Sequence, residues 1–487
     1  MKIGFDNDKY IRIQSEHIKE RIAQFRGKLY LELGGKLFDD HHASRVLPGF
    51  QPDSKLRMFS KISDQIEIVI VISAEDIEKN KVRADLGITY DEDVLRLREE
   101  FRNRGFFVGS VVITHYNGQH AADAFRQRLK RMDIKSYVHY LIDGYPHNVE
   151  LIASDEGFGK NDYVETERPL VIVTAPGPGS GKMAVCLSQL YNEHKRGVEA
   201  GYAKFETFPV WNLPLKHPVN IAYEAATADL NDVNMIDPFH LEAYNKIAVN
   251  YNRDIEIFPV LNALFEGIYG TNPYKSPTDM GVNMVGFCIS DDNACCEASK
   301  DEIIRRYYDA TNKFADGADN ESEVQKIQLL FNQAKITTAT RKVTTVAKQR
   351  KQETGTPCAA IELADGTMIT SKSTDLLGPS AALLLNATKH LAGIDHNVRL
   401  IPQNMIEPIQ KTKINYLGGN NPRLHTDEVL VALSVLSQAD DNCRKALSQL
   451  PALRGCQVHS TVMLSEVDHK IFKKLGIGLT CEPVKKK

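Results

Sequence analysis

Five short apolar runs alternate with amphipathic segments over residues 28–215, and this alternation constrains the fold more than any other feature of the chain. The runs are K-L-Y-L-E-L, I-E-I-V-I-V-I, S-V-V-I-T-H-Y, S-Y-V-H-Y-L-I and L-V-I-V-T-A. The segments 91–104 and 121–132 between them carry apolar residues at helical spacing. Buried strands separated by helices are typical of a parallel, doubly wound sheet. We therefore predict an α/β domain with a mainly parallel sheet at residues 1–217.

The remaining chain is expected to form two further parts, because its 487 residues exceed what one hydrophobic core usually spans. Helical spacing predominates on both sides of a turn-rich stretch, so we predict a mainly helical segment at 218–340 with a lid-like loop at 271–290. From residue 357 the strand A-A-I-E-L, a turn and a helix rich in small residues predict a smaller C-terminal α/β domain at 357–487.

A glycine-rich loop ending in lysine follows the fifth apolar run, in the sequence V-T-A-P-G-P-G-S-G-K-M-A. Glycine permits positive φ, so backbone N–H groups can turn towards one anion, and the following helix adds the positive end of its dipole. The arrangement is P-loop-like and predicts a site for a nucleotide or another phosphorylated ligand. The residues expected to bind this ligand are Gly177, Gly179, Ser180, Gly181 and Lys182.

The motif departs from a Walker A loop at two positions, because Pro176 stands where glycine is expected and Met183 stands where the magnesium-binding Ser or Thr is expected. ATP or another nucleotide is the candidate cofactor, and magnesium is not expected from the motif, so we assign no metal ligands. A phosphorylated metabolite bound without metal is one alternative, and a turn that only packs helix on strand is another. Against a packing turn, Lys182 in the first helical turn opposes the dipole unless an anion lies nearby.

Two aspartates are further candidates for catalysis. Asp143 ends an apolar run, as a Walker B carboxylate does, and Asp279 lies in the predicted lid-like loop. With Lys182 offsetting charge in the transition state, either carboxylate is expected to position a metal or a nucleophile.

The C-terminal part offers a second candidate site for an anion. Lys372 lies in S-K-S-T ahead of a helix, and Arg423 and His425 precede another helix in N-P-R-L-H-T-D-E-V-L. Hydroxyl and early-helix N–H groups converge at such starts, so Lys372, Arg423 and His425 are candidate ligand-binding residues. The alternative is ordinary helix capping.

Composition limits the partners. The 60 basic and 63 acidic residues nearly balance, which gives no electrostatic argument for nucleic acid or an anionic membrane. We expect a phosphorylated small molecule as ligand, a homo-oligomer and a cytoplasmic location. The eight cysteines contain no C-x-x-C pair, although Cys295 and Cys296 beside a helix start are candidates for a reactive thiolate. Neither H-E-x-x-H nor G-x-S-x-G occurs, which argues against proteolysis.

Several segments together resemble one bacterial family. They are L-Y-L-E-L-G-G-K-L-F-D-D-H-H-A-S-R-V-L-P-G-F, V-T-A-P-G-P-G-S-G-K-M-A, S-P-T-D-M-G-V-N-M, A-S-K-D-E-I-I-R-R-Y-Y and N-P-R-L-H-T-D-E-V-L. Across the whole chain the sequence is similar to the family called domain of unknown function 1846. The resemblance implies a bacterial cytosolic protein with a larger N-terminal and a smaller C-terminal region, and no established activity. Some members carry an ATP-dependent peptidase label, for which these residues offer no catalytic machinery.

Three functions remain open from the sequence. The first is phosphoryl transfer or hydrolysis on a nucleotide held by the glycine loop. The second is a metal-independent transferase, lyase or isomerase acting on a phosphorylated metabolite. The third is a non-catalytic oligomeric scaffold or regulatory protein.

Overall fold

The structure, a computed structural model, describes residues 2–34, 37, 40–83 and 86–483. They form two compact units. The first unit comprises Ile3–Glu224 and Asp232–Cys296, and the second takes in Ala225–Asn231 and the chain from Glu297 onward. The division at residue 297 falls inside the helical segment predicted for 218–340, and the predicted three-part division stays a prediction.

A six-stranded sheet forms the centre of the first unit, and its strand pairings are parallel as predicted. Two short antiparallel strand pairs, β3–β4 and β9–β10, lie outside this sheet. The strands are β1 (Leu29–Leu33), β2 (Ile66–Ser73), β3 (Val82–Arg83), β4 (Ile88–Thr89), β5 (Phe107–Tyr116), β6 (Ser136–Tyr140), β7 (Leu170–Thr174), β8 (Gly201–Phe205), β9 (Asn234–Ile236) and β10 (Val249–Tyr251). The order across the large sheet is β6-β5-β2-β7-β1-β8.

Thirteen α-helices precede residue 316 in the described part of the chain. They are α1 (Asn7–Gln24), α2 (His41–Val46), α3 (Ser54–Ser60), α4 (Ala74–Glu78), α5 (Tyr90–Asn103), α6 (His120–Arg131), α7 (Val149–Ile152), α8 (Lys182–Lys195), α9 (Pro218–Ala226), α10 (Pro238–Tyr244), α11 (Asn252–Tyr269), α12 (Pro277–Met280) and α13 (Asp292–Ala315). Among the residues that the structure describes, no helix combines the length and the apolar character needed to cross a membrane. The cytoplasmic location stays a prediction.

Helices cover both faces of the large sheet, which explains why β1, β2 and β7 are buried along their whole length. Helices α8 and α11 contribute to the core that contains Tyr30 of β1 and Val171 of β7. On the opposite face, Phe59 of α3 meets Phe205 of β8 edge to face, with ring centroids 5.7 Å apart. Apolar side chains must therefore point both ways along each central strand, and this produces the continuous apolar runs of the sequence.

The direction of the chain reverses between β2 and β7, which are neighbours in the sheet. From β2 the chain continues to β5 on one side, whereas from β7 it continues to β8 on the other. The loops that leave two such strands diverge and open a crevice at the carboxyl edge of the sheet, where α/β proteins bind their ligands. The glycine-rich loop follows β7 and therefore lies at this switch point.

The second unit contains the smaller α/β domain. Its sheet has the order β12-β11-β13-β14, antiparallel except for the parallel pair β13–β14. The strands are β11 (Cys358–Glu362), β12 (Met368–Lys372), β13 (Gln457–Ser460) and β14 (Gly478–Cys481). The helices that follow α13 are α14 (Glu321–Ala334), α15 (Lys342–Thr354), α16 (Pro379–Leu391), α17 (Gln403–Asn415), α18 (Thr426–Leu436), α19 (Asp441–Leu447) and α20 (Glu466–Leu475). Its core joins Ile361, Leu383, Val458 and Phe472.

Candidate phosphate-binding site

The loop between β7 and α8 needs glycine at two positions for conformational reasons. Gly179 has φ +73° and Gly181 has φ +83°, both in the left-handed region that L side chains rarely adopt. Gly181 is also the N-cap of α8 and supplies no side-chain cap. The start of this 14-residue helix is therefore left to backbone groups alone.

Close packing against the neighbouring loops holds the glycine loop in place. Thr114, at the end of β5, donates its hydroxyl to the carbonyl oxygen of Ser180 at 2.7 Å. Ser180 in turn donates its buried hydroxyl to the carbonyl oxygen of Gly177 at 2.7 Å. A Cβ on Gly177 would lie only 2.4 Å from Tyr90 Oη, and one on Gly181 would lie 3.2 Å from Thr114. The Ser180 side chain thus stabilises the loop, and only its backbone N–H remains available for a ligand.

Several donors at this loop have no partner among the described residues. No hydrogen bond in that part of the chain uses the backbone N–H of Gly181, Lys182 or Met183, and the first bond of the helix runs from Val185 N–H to Gly181. No ion pair or hydrogen bond within the described ranges reaches Lys182 Nζ either, although the side chain is half-buried. The first N–H groups of α8 and the cation of its first residue therefore have no protein acceptor in this part of the chain, and together they are the donor set of an anion site.

His115 and Ser73 line the same edge of the sheet, and sequence reasoning missed both. His115 is in β5 at a register irregularity and has φ +50°, which is unusual for a residue other than glycine. Its Nδ1 lies 3.2 Å from Oγ of Ser73, the last residue of β2. Ser73 Oγ already accepts the N–H of Glu75 at 3.2 Å, so its own hydrogen can point to Nδ1. With that hydrogen bond, neutral His115 carries its ring proton on Nε2 as a further donor. The sequence signal that could have identified His115 is its position one residue before the end of an apolar strand.

A set of buried charges at the ends of β1 and β8 was also not anticipated. Glu32 accepts a hydrogen bond from Tyr202 Oη at 2.6 Å. Lys204 Nζ lies 2.8 and 2.7 Å from the two oxygens of Asp254 and 3.3 Å from Glu206 Oε1. Burial raises the pKa of Glu206, and the Lys204 charge counteracts this effect only in part. Lys204 pairs with Asp254 and Glu206, and Glu32 is held by Tyr202, so we interpret these groups as support for the sheet edge.

Asp143 follows β6, the outermost strand on one side of the sheet. Strands β5 and β2 separate β6 from β7, so the sheet does not make the two strands neighbours. The side chain of Asp143 is exposed, and no hydrogen bond or ion pair in the described parts of the chain joins it to the glycine loop. Its role in positioning a metal or a nucleophile stays a prediction that the strand order does not favour.

Asp279 lies in α12, and local contacts engage both of its oxygens. Oδ2 accepts from Tyr244 Oη at 2.8 Å and from the Lys275 N–H at 2.9 Å, while Oδ1 lies 3.7 Å from His240 Nδ1. Burial and the Asp279 carboxylate raise the pKa of Tyr244 to about 12. These contacts fix the carboxylate within its own segment, and its catalytic role stays a prediction.

The stretch 271–290 is docked along the edge strand β8. The Val282 N–H donates to the Lys204 carbonyl at 3.0 Å, and Trp211 Nε1 donates to the Asn283 carbonyl at 2.8 Å. Asn283 Nδ2 donates to the carbonyl of Thr207 at 2.9 Å. The loop is thus anchored by backbone and side-chain hydrogen bonds in the structure, and closure over a ligand stays a prediction.

The C-terminal candidates are partly brought together. Arg423 Nε donates to the Thr374 carbonyl at 2.7 Å, which links it to the S-K-S-T segment. Lys372 ends β12 with an exposed side chain. His425 Nδ1 lies 3.0 Å from Oδ2 of Asp468, a buried carboxylate on α20 that sequence reasoning missed. Arg423 and His425 are therefore held by groups of the protein, as expected for the capping alternative, and ligand binding here stays a prediction.

A groove of about 620 Å³ also lies in the second unit, away from all of these residues. It is lined by residues such as Tyr307, Leu329 and Phe331 and by no charged side chain. Without a charged group it does not suit a phosphorylated ligand. The glycine loop, with its open N–H groups and its lysine, therefore remains the strongest candidate site.

Comparison with known proteins identifies the family. The chain matches the family described as domain of unknown function DUF1846, its N-terminal part over residues 3–335 and its C-terminal part over residues 339–487. A UPF0371 protein of Corynebacterium urealyticum is 58% identical over 482 residues, which cover 99% of this chain and 97% of the relative. UPF0371 proteins of Streptococcus sanguinis and Streptococcus uberis are 56% and 55% identical over 483 residues, covering 99% of this chain and 98% of each relative. The resemblance identified from the sequence is confirmed: the chain belongs to the DUF1846 family of UPF0371 proteins, for which no specific function is evident.

Proposed function

We propose that this protein binds a nucleotide or another phosphorylated small molecule at the loop between β7 and α8. The observation that carries the proposal is the set of unpaired donors at the switch point of the sheet. Among the described residues, the N–H groups at the start of α8 and Lys182 Nζ have no acceptor, and Gly181 holds the backbone that presents them. A phosphate would accept from all of them and would complement the helix dipole.

The neighbouring strands add to this support. Thr114 fixes the loop through Ser180, and His115 next to it presents a ring nitrogen on the same edge. Irregular backbone at the end of a strand is frequent beside binding and catalytic sites, because it orients a side chain towards the ligand. We include His115 in the proposed site as a donor to the ligand.

We further propose that the phosphate is bound without magnesium. Met183 replaces the hydroxyl that would hold the metal, and its side chain packs against the core of the first unit. In the described parts of the chain no carboxylate forms a hydrogen bond or an ion pair with residues 175–182. This favours a transferase, lyase or isomerase that uses the loop to hold a phosphorylated metabolite. Phosphoryl transfer from a nucleotide, with Lys182 offsetting charge in the transition state, is the other reaction class.

Thermal unfolding in the presence of ligands tests the proposal. The panel consists of nucleoside mono-, di- and triphosphates, phosphorylated sugars and pyrophosphate, each with magnesium or with a chelator. Trp211, the single tryptophan of the chain, lies in the first unit and reports its unfolding by fluorescence. A ligand at 100 times its Kd adds about 2.7 kcal/mol to the stability of the folded state. We expect at least one phosphorylated ligand to raise the melting temperature, with or without magnesium.

A matched pair of lysines on one helix provides the control. Lys182→Met removes the cation at the start of α8, and Lys195→Met removes the cation at its end, where Lys195 pairs with Asp155. A lost charge-assisted hydrogen bond is worth about 1.5–3 kcal/mol, so Lys182→Met should weaken binding about 10- to 100-fold. Without ligand, Lys182→Met should leave stability unchanged or slightly higher, because the cation opposes the helix dipole. Lys195→Met should lower stability and leave binding intact. Equal ligand responses in wild type and Lys182→Met, or no response to the whole panel, would refute the proposal.

A further inference from the structure

Three side chains of types that ligate metals lie close together in the first unit. His217 lies directly before α9, while Asp292 and Cys296 lie one turn apart on α13 and so share one face of that helix. His217 Nε2 is 3.0 Å from Asp292 Oδ1 and 3.6 Å from Cys296 Sγ. Cys296 Sγ is 3.8 Å from Asp292 Oδ2. One nitrogen, one oxygen and one sulfur of these side chains therefore lie within 4.8 Å of one another.

Two of the separations are close to those at a tetrahedral metal site. Zinc binds nitrogen and oxygen at about 2.0–2.2 Å and sulfur at about 2.3 Å. Tetrahedral angles then put nitrogen and oxygen about 3.3 Å apart, and either of them about 3.5 Å from sulfur. The nitrogen–oxygen and nitrogen–sulfur separations of 3.0 and 3.6 Å lie within a few tenths of an ångström of these values. Asp292 directs Oδ1 to His217 and Oδ2 to Cys296, and one of its oxygens lies within 4.8 Å of both other ligand atoms.

We propose that His217, Asp292 and Cys296 bind a divalent transition metal of the zinc class. Thiolate and imidazole donors select borderline-soft ions, whereas magnesium prefers oxygen donors alone. The cation would separate the two anionic ligands, Asp292 and the Cys296 thiolate, which otherwise lie close together. Asp292 is exposed, so water or a substrate atom can take the fourth position, as in catalytic zinc sites.

Three contacts must change for this ion to bind. The Val219 N–H donates to His217 Nδ1 at 3.3 Å, which makes Nδ1 an acceptor and leaves the ring proton on Nε2, 3.0 Å from Asp292 Oδ1. Metal binding at Nε2 displaces the hydrogen bond to Asp292 and moves the ring proton to Nδ1, which ends the contact with Val219. The Cys296 thiol releases its proton to solvent and loses its contact with Asp292 Oδ2. Three metal–ligand bonds replace these contacts.

The adjacent cysteine differs from Cys296 and provides an internal comparison. Cys295 is fully buried and donates its thiol to the Gly4 carbonyl at 3.3 Å, and burial raises its pKa to about 12. Of the eight cysteines, only Cys296 is not buried. In the folded protein, a thiol-alkylating reagent should therefore modify Cys296 first, and a metal at this site should protect it.

Binding of Co²⁺ and Zn²⁺ to the purified, metal-stripped full chain tests the proposal. Cobalt bound to a thiolate gives a charge-transfer band in the near ultraviolet, which Zn²⁺ should remove by competition. We expect this band in the wild type and its loss in Cys296→Ser. Zn²⁺ should slow alkylation of Cys296, and Mg²⁺ at the same concentration should not. Absence of the band, or its persistence in Cys296→Ser, would overturn the proposal.

Two exposed carboxylates of α13, Asp292 and Glu297, give a matched pair of variants. Neither substitution changes the hydrophobic core. Asp292→Asn should lower the Zn²⁺ affinity more than about 10-fold, because it removes a charged ligand. Glu297→Gln removes an exposed carboxylate five residues along the chain, which pairs with Lys300, and should leave the affinity unchanged. Both side chains are exposed, so neither variant should unfold the protein. Equal affinities in Asp292→Asn and Glu297→Gln would contradict the proposed ligand set.

Discussion

Replacing Asp468 with alanine should destabilise the second unit strongly, because this buried carboxylate joins the starts of α18 and α20. It accepts from the Thr426 N–H at 3.0 Å, from the Thr426 hydroxyl at 2.9 Å, from Ser465 Oγ at 2.8 Å and from His425 Nδ1 at 3.0 Å. Ser465 and His425 are partly exposed and can turn to water, whereas Thr426 is fully buried. Two buried donors left without a partner at about 1–3 kcal/mol each predict a loss of about 3 kcal/mol.

The dependence on pH gives the prediction a second test. Burial alone would raise the pKa of Asp468, but hydrogen bonds from His425, Thr426 and Ser465 outweigh it and hold the pKa well below the usual range. A carboxylate with a lowered pKa stabilises the folded state above its unfolded pKa of about 3.9, and this stabilisation is lost as the pH falls through the folded value. The difference between wild type and Asp468→Ala should therefore be constant above about pH 5 and shrink below about pH 4.

Hydrogen exchange of peptides from α18 and α20 is the appropriate measurement, since Trp211 reports only on the first unit. The control is Asp440→Ala, which removes an exposed N-cap of α19 that accepts from the Cys443 N–H at 2.9 Å. We expect exchange in α18 and α20 to accelerate far more in Asp468→Ala than exchange in α19 does in Asp440→Ala. Similar effects of the two substitutions would refute the argument that buried, multiply bonded Asp468 joins the two helices.

Two further predictions concern the first unit. Gly181→Ala should destabilise this unit more than Gly179→Ala in thermal unfolding. Both glycines have positive φ, but only at Gly181 would a Cβ lie 3.2 Å from Thr114. Equal losses of stability would mean that the backbone conformation alone determines the loss. Burial lowers the pKa of His139 to about 4, so the unfolded chain binds its proton first and stability should fall by at most about 3 kcal/mol as the pH drops from 6.5 towards 4. His139→Gln should flatten the melting temperature over this pH range, and an unchanged slope would show that other groups cause it.

The parallel sheet was predictable because its pattern is local. Each central strand is buried on both faces, so β1, β2 and β7 appear as uninterrupted apolar runs in the sequence. The glycine loop was equally visible, since positive φ at Gly179 and Gly181 imposes a residue type. Both features are determined by neighbours in the sequence, so the sequence shows them directly.

The order of the strands was not predictable from the sequence. This order determines which residues lie beside the glycine loop. Insertion of β7 between β2 and β1 brings Ser73 and His115 to the glycine loop and leaves Asp143 beyond two other strands. Asp468 and His425 illustrate the same limit, because 43 positions separate them in the chain. The sequence pattern shows that a residue ends a strand or begins a helix, but not which other ends it meets.

The two candidate anion sites differ in whether the protein satisfies its own polar groups. At the C-terminal site, Arg423 donates to a carbonyl and His425 Nδ1 faces Asp468, so the residue types are explained by the fold itself. At the glycine loop, the half-buried Lys182 and the first N–H groups of α8 have no acceptor among the described residues. Folded proteins rarely leave buried polar groups unpaired, and a cation at a helix start costs stability unless an anion is bound. Folding alone therefore accounts for Arg423 and His425 but not for Lys182, and for this reason we propose the glycine loop, rather than the C-terminal site, as the ligand site.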